Sequence, residues 1–129
     1  MEAAVSIRFR VFVDEQSVPA EIELDEYDAV ATHAIALEGG QAVGTGRTYF
    51  EDGEARIGRM AVDLSHRRRG VGGVILRFLE EEAKSQGATE IVLHAQDYVK
   101  AFYAAHGYTE HGDTFMEAGL LHIEMRKSI

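Results

Sequence analysis

Cysteine is absent from the 129 residues, which excludes disulfides, thiolate metal sites and a cysteine nucleophile. Proline occurs once, at Pro19, and no linker-like stretch or internal repeat divides the chain, so a single domain over residues 1–129 is expected. No apolar run approaches the roughly 18–20 residues that a membrane-spanning helix needs, and no basic-then-apolar leader opens the sequence. Basic residues are scarce, 13 against 22 acids, and the net charge of −9 disfavours a nucleic acid or an anionic membrane as partner. With 46% hydrophobic and 27% charged residues the composition is that of a folded globular chain, for which a cytoplasmic location is expected.

The few basic residues are unevenly placed. Residues 56–77 hold Arg56, Arg59, Arg67, Arg68, Arg69 and Arg77 against the single acid Asp63. An acidic chain that keeps such an island points to a small anionic ligand. The first 28 residues run the other way, with Glu2, Asp14, Glu15, Glu21, Glu23, Asp25, Glu26 and Asp28 against two arginines. That end suits a cationic partner, or is simply a solvated face.

Hydrophobic spacing predicts a helix from Val5 to about Asp14 through Val5, Phe9, Phe12 and Val13, then an acidic loop or short helix. Strands are expected over 32–37, 42–50 and 55–62, joined by tight turns and therefore antiparallel. From Gly70 the period changes, and Val71, Val74, Ile75, Phe78, Leu79 and Ala83 form one helical stripe ending at Gly87. Residues 90–96 read as a buried strand. Val99, Phe102, Tyr103 and His106 share a short helix stopped by Gly107, and strands over 108–114 and 120–126 close the chain. The sum is an α/β (α+β) domain with a mixed, mostly antiparallel sheet flanked by helices.

The most informative stretch is Ser65-His66-Arg67-Arg68-Arg69-Gly70-Val71-Gly72-Gly73, set between a strand and a helix. Glycines there let backbone N–H groups approach a ligand, and the new helix turns its positive dipole end to the same point. With arginines at the rim this describes a pyrophosphate site; the alternative is a glycine-rich turn with solvated arginines. Neither Gly-Lys-Ser/Thr nor G-x-G-x-x-G is present, which sets aside two familiar phosphate loops.

Arg67–Gly72 resembles the Q/R-x-x-G-x-G/A motif of the GNAT superfamily of N-acetyltransferases. Ile57-Gly58-Arg59-Met60-Ala61-Val62 is similar to that family's cofactor strand, and Ala101-Phe102-Tyr103-Ala104-Ala105-His106-Gly107-Tyr108 to its late helix. Val11-Phe12-Val13-Asp14-Glu15-Gln16, with Glu21, Asp25, Asp28 and His33, resembles one bacterial branch of small acetyltransferases. The resemblance spans essentially the whole chain, although the usual edge strand before the first helix has little room in Met1–Ser6. It implies splayed central strands, acetyl-CoA as co-substrate, and direct attack by a primary amine, either a small cationic molecule or a lysine side chain. On this basis Met60, Ala61, Val62, Arg67, Arg68, Arg69, Gly70, Val71, Gly72, Gly73, Gln96 and Tyr103 bind the cofactor. The Met60 N–H faces the thioester carbonyl. Tyr103 protonates the departing thiolate, unless it is only a core aromatic.

The resemblance breaks at one point. Some relatives carry a glutamate base four residues before the position of Met60, where this chain has Arg56, and a guanidinium is no base. The base is then sought among His122, Glu117, Glu15 and His33, each of which also has a purely structural reading. Gln96 could bond the cofactor or substrate, or cap the next helix. His66 and His94, each three residues from an aspartate (Asp63, Asp97), lack the third ligand of a zinc site, so no metal is expected. A homodimer through the late strands is compatible with the resemblance, though no residue demands it. Two other readings stay open: a non-catalytic acyl-CoA-binding or sensing domain, kept alive by Arg56, and a nucleic-acid contact through the arginines, opposed by the net charge.

Overall fold

The computed structural model describes residue 28 and residues 30–51, 54–62 and 70–129; the expected first helix, Glu15 and Arg67, Arg68 and Arg69 lie outside the described residues. Three strands follow one another as a meander, β1 (Thr32–Glu38), β2 (Gln41–Glu51) and β3 (Glu54–Val62). Helix α1 (Val71–Ser85) crosses to β4 (Glu90–Gln96), and a 3-10 turn (Asp97–Val99) leads into α2 (Lys100–Ala105). The hairpin β5 (Thr109–Glu117) and β6 (Leu120–Ser128) closes the chain. The sheet order is β1-β2-β3-β4-β6-β5, with every pairing antiparallel except β3 with β4. From β1 onward the elements follow the expected order, and the mixed sheet is found.

Among the described residues one hydrophobic cluster lies on the α1 face of this sheet. Leu76, Leu79 and Ala83 of α1 pack with Ile57 of β3, Ile91, Leu93 and Ala95 of β4, and Ile123 and Met125 of β6. Full burial of each large side chain contributes roughly 1.5–3 kcal/mol. Helix α1 comes close because β2 carries glycine beneath it: a Cβ at Gly44 would lie 2.8 Å from Ile75 Cδ1, and one at Gly46 would lie 2.8 Å from Leu79 Cδ1. The helical stripe needs a correction. Val74 and Phe78 are 56% and 51% exposed, because the buried face is centred on Ile75, Leu76, Leu79 and Ala83. At about 100° per residue the two expected core positions turn away from it.

Both helices stop in the same way. After α1 the Ala88 N–H donates to the Ala83 carbonyl and the Gly87 N–H to that of Lys84; after α2, Tyr108 donates to Tyr103 and Gly107 to Ala104. This is the Schellman pattern, with its left-handed glycine at +96° and +93° respectively. On the opposite sheet face Asp28 meets Arg47 in a buried ion pair of 2.9 Å. Asp28 therefore has a structural partner and is removed from the acidic stretch proposed to meet a cation.

Candidate active site

Strands β3 and β4 pair only at Ala55 with Ile91 and Arg56 with Val92. Beyond those positions β3 runs on to Val62 and β4 to Gln96 without a shared ladder, so the sheet opens as a wedge between the strand ends. The opening lies at the carboxyl ends of two parallel strands, where open α/β sheets place their ligands.

On the β3 side of the wedge stands the N-terminus of α1. Gly70 is its N-cap, at φ +80°, a left-handed conformation that side chains resist. Gly70 has no side chain with which to cap the helix, and no acid occupies its first turn. The opening N–H groups of this 15-residue helix receive no bond from an N-cap side chain, and the dipole favours an anion there. Gly72 and Gly73 have a packing role as well. A Cβ at Gly72 would lie 3.4 Å from the Phe102 ring, and one at Gly73 3.0 Å from His106 Nε2, so α2 rests on the first turn of α1. Val71 packs toward Gly44, and Val62 toward Gly72.

Strand β3 is bulged beside the opening. Thr45 pairs with Ala61 and Arg47 with Gly58, so Gly46 alone stands opposite Arg59 and Met60. Arg59 takes up the extra residue at φ +51°, a conformation costing a non-glycine residue on the order of 1–3 kcal/mol. The Met60 side chain turns under α1: a Cβ at Gly46 would lie 2.7 Å from its sulfur. Bulges of this kind bend a strand and raise its local twist, and this one falls immediately before Met60.

Tyr103 lies in α2, whose Phe102 covers the start of α1. It is 8% exposed, edge-on to Phe102 at 5.0 Å and to Tyr108 at 5.8 Å. Burial pushes its phenol far above the ordinary value of 10.0, so it keeps its proton through the neutral range. Among the described residues no group hydrogen-bonds its hydroxyl. Tyr108 is tied differently: its hydroxyl donates to Glu80 Oε2 at 2.8 Å, an oxygen that also receives Lys127 Nζ at 3.1 Å.

The β4 side of the wedge carries ionisable side chains. Register sets Gln96 beside His122 and His94 beside Glu124, and places Phe115 of β5 across from His122, all on the face away from α1. Glu117 Oε1 accepts from His94 Nδ1 at 3.1 Å and its Oε2 lies 3.7 Å from His122 Nε2. His94 chiefly, then His122 and Arg59 from across the wedge, hold the Glu117 carboxyl below its ordinary value of 4.5 against the opposing effect of burial.

His122 and Glu117 thus meet beside the wedge, as candidates for the base must. His33 does not: it sits two strands away, its Nε2 donating to the Asp28 carbonyl at 2.9 Å. Gln96 makes no capping bond to the turn it precedes. His94 pairs with Glu117 and Glu124, whereas Asp97 pairs with Lys100, so the suggested His94–Asp97 metal pair does not form. Among the described residues no group of three or more His, Cys, Asp or Glu side chains is arranged to hold a metal ion. Arg56 lies 3.6 Å from Glu51. Sequence reasoning missed Arg59 and the His94–Glu117 bond, which arise from a bulge and from cross-strand register.

Residues 2–129 match the Acetyltransferase (GNAT) domain family. The chain is 40% identical to the uncharacterised N-acetyltransferase YjcF of Bacillus subtilis (strain 168), over 98% of this chain and 91% of YjcF. Its fold matches an acyl-CoA N-acyltransferase from Pseudomonas aeruginosa with a TM-score of 0.87 at 28% identity, covering 98% of this chain and 88% of that one. A GNAT family acetyltransferase from Elizabethkingia anophelis with acetyl-CoA bound shares the fold alone, with a TM-score of 0.75 at 15% identity over 96% and 89% of the two chains. The chain belongs to the GNAT acetyltransferase family and is an N-acetyltransferase of that class. No described helix is long and apolar enough to cross a membrane.

Proposed function

We infer that this enzyme transfers the acetyl group of acetyl-CoA directly to a primary amine. The observation that carries the reading is the wedge between β3 and β4, opening beside a long helix that starts at a left-handed glycine and has no acid in its first turn. That helix start fits a pyrophosphate, with the amides following Gly70 as donors and Arg67, Arg68 and Arg69 in the preceding segment as a charged rim. When bound, acetyl-CoA supplies the activated carbonyl. The Met60 N–H, set by the bulge, stabilises charge on its oxygen, a contribution of roughly 3–4 kcal/mol for a preorganised donor. Ala61, Val62 and Gln96 line the opening, and Tyr103, protonated by burial, returns a proton to the departing sulfur.

The test is CoA-thiol release from acetyl-CoA across polyamines, aminoglycosides, amino acids and lysine peptides. Gly72→Glu is the blank, since it crowds the Phe102 ring 3.4 Å away and adds a carboxylate to the first turn of α1, where an anion would bind. Release above the blank with one amine class is the expected result and names the acceptor. Acetyl-CoA affinity retained by Gly72→Glu would overturn the cofactor site.

A further inference from the structure

The ring of His122 is buried and fixed by two contacts. It is 7% exposed, stacked on Phe115 with ring centres 6.0 Å apart, and its Nδ1 lies 2.8 Å from the Leu120 carbonyl oxygen. A carbonyl only accepts, so Nδ1 carries the hydrogen and the neutral ring presents a lone pair at Nε2. That lone pair faces Glu117 Oε2 across 3.7 Å. While the ring is neutral these two acceptors have no hydrogen between them and repel, and the guest that relieves them is a cation with two or more N–H donors. A nitrogen about 2.9 Å from each acceptor bridges the gap. Glu117 is meanwhile held by His94, so neither acceptor is set by chance rotation.

We propose that the gap between His122 Nε2 and Glu117 Oε2 seats the primary ammonium of the acceptor, and that His122 takes its proton. The inference rests on the acetyl-transfer reading and gives it the missing base. One ammonium proton passes to His122 Nε2 and the freed lone pair attacks the acetyl carbonyl carbon. The new C–N bond forms as the C–S bond breaks; the sulfur takes the Tyr103 proton, and the second nitrogen proton passes through water to the phenolate, restoring Tyr103. His122 then returns its proton to water past Glu117, whose side chain is 45% exposed. The charged and titratable groups facing the pair are His94 from β4, Glu124 from β6 and Arg59 from β3.

Titration of the full chain with n-butylammonium, followed through histidine ring resonances, tests the seat without knowing the natural acceptor. The resonances of His122 and His94 are expected to move, and tetramethylammonium, which has no N–H, is expected to leave them still. Unmoved resonances, or equal shifts with both cations, overturn the seat. For the base, His122→Gln should lower kcat/KM for n-butylamine about 100-fold or more and abolish the acid limb of its pH profile. Its acetyl-CoA affinity should stay within about threefold of wild type, since the histidine lies off the cofactor wall. Glu117→Gln should chiefly raise the amine KM. A His122→Gln rate within about threefold of wild type overturns the base. A wild-type protein whose His122 responds to n-butylammonium but which releases no CoA leaves the seat standing and defeats the acetyl-transfer reading instead.

Discussion

The β3–α1 wall of the wedge offers main-chain groups, whereas the β4–β6–β5 wall offers ionisable side chains. On the first, a left-handed glycine and the start of α1 present N–H donors, and a bulge at Arg59 re-aims the strand. On the second, His94, Glu117 and His122 converge from three strands. The contrast fits two different ligands. A pyrophosphate is the same whatever the acceptor, so backbone amides suffice, and they resist change by point mutation. An amine must be held and deprotonated, which demands side chains with a proton affinity in the useful range.

The largest effect expected comes from the residue between the walls. Tyr103→Phe should lower kcat about 100-fold with acetyl-CoA affinity unchanged by calorimetry. An unaltered kcat would return Tyr103 to the core alone. On the main-chain wall the informative change adds charge. A Cβ at Gly70 meets nothing within 4 Å, so Gly70→Asp and Gly70→Asn carry the same backbone strain and differ only in charge. Aspartate should weaken acetyl-CoA binding about tenfold more than asparagine, from repulsion at a helix start worth up to about 2 kcal/mol. Equal affinities would move the pyrophosphate elsewhere.

Glu80→Gln sharpens the comparison by loosening what joins the walls. It weakens the bonds to Tyr108 and Lys127 and should cost about 1–2 kcal/mol in urea unfolding, with catalysis by the folded fraction unaffected. The smallest effect concerns acid stability. Glu117 is held below its ordinary value, so its stabilising contribution is present above that value and is lost as pH falls through the lower folded one. The gap in Tm between wild type and Glu117→Gln should therefore close between about pH 5 and pH 3. A gap that stays constant would mean that the carboxylate gains nothing from its histidines.

What could be read from the chain follows the same division. The main-chain wall is local: Gly70, Gly72 and the strand before them are contiguous, so spacing alone exposes the helix start and its anion chemistry. The succession of strands and helices along the chain and the two glycine stops were readable for the same reason. The side-chain wall is built by register. His122 and Glu117 were candidates only as residues near the last strand, and nothing local ties His94 to Glu117, 23 residues away. Val74 and Phe78 misled because a helix stripe fixes its period but not which flank meets the sheet. The bulge at Arg59 is set by its pairing with Gly46, a glycine whose other role is to let α1 come close.

Two register pairs are all the backbone that links β1–β3 to β4–β6. Among the described residues each half is also continuous in sequence, with Gln86–Thr89 as the bridge. The enzyme is therefore severable: polypeptides cut in that bridge would have to find each other through Leu76, Leu79 and the Glu80 contacts rather than through a long strand ladder. A bound co-substrate that touches both halves would act as a splint, and reassembly of the cut chains would depend on its concentration.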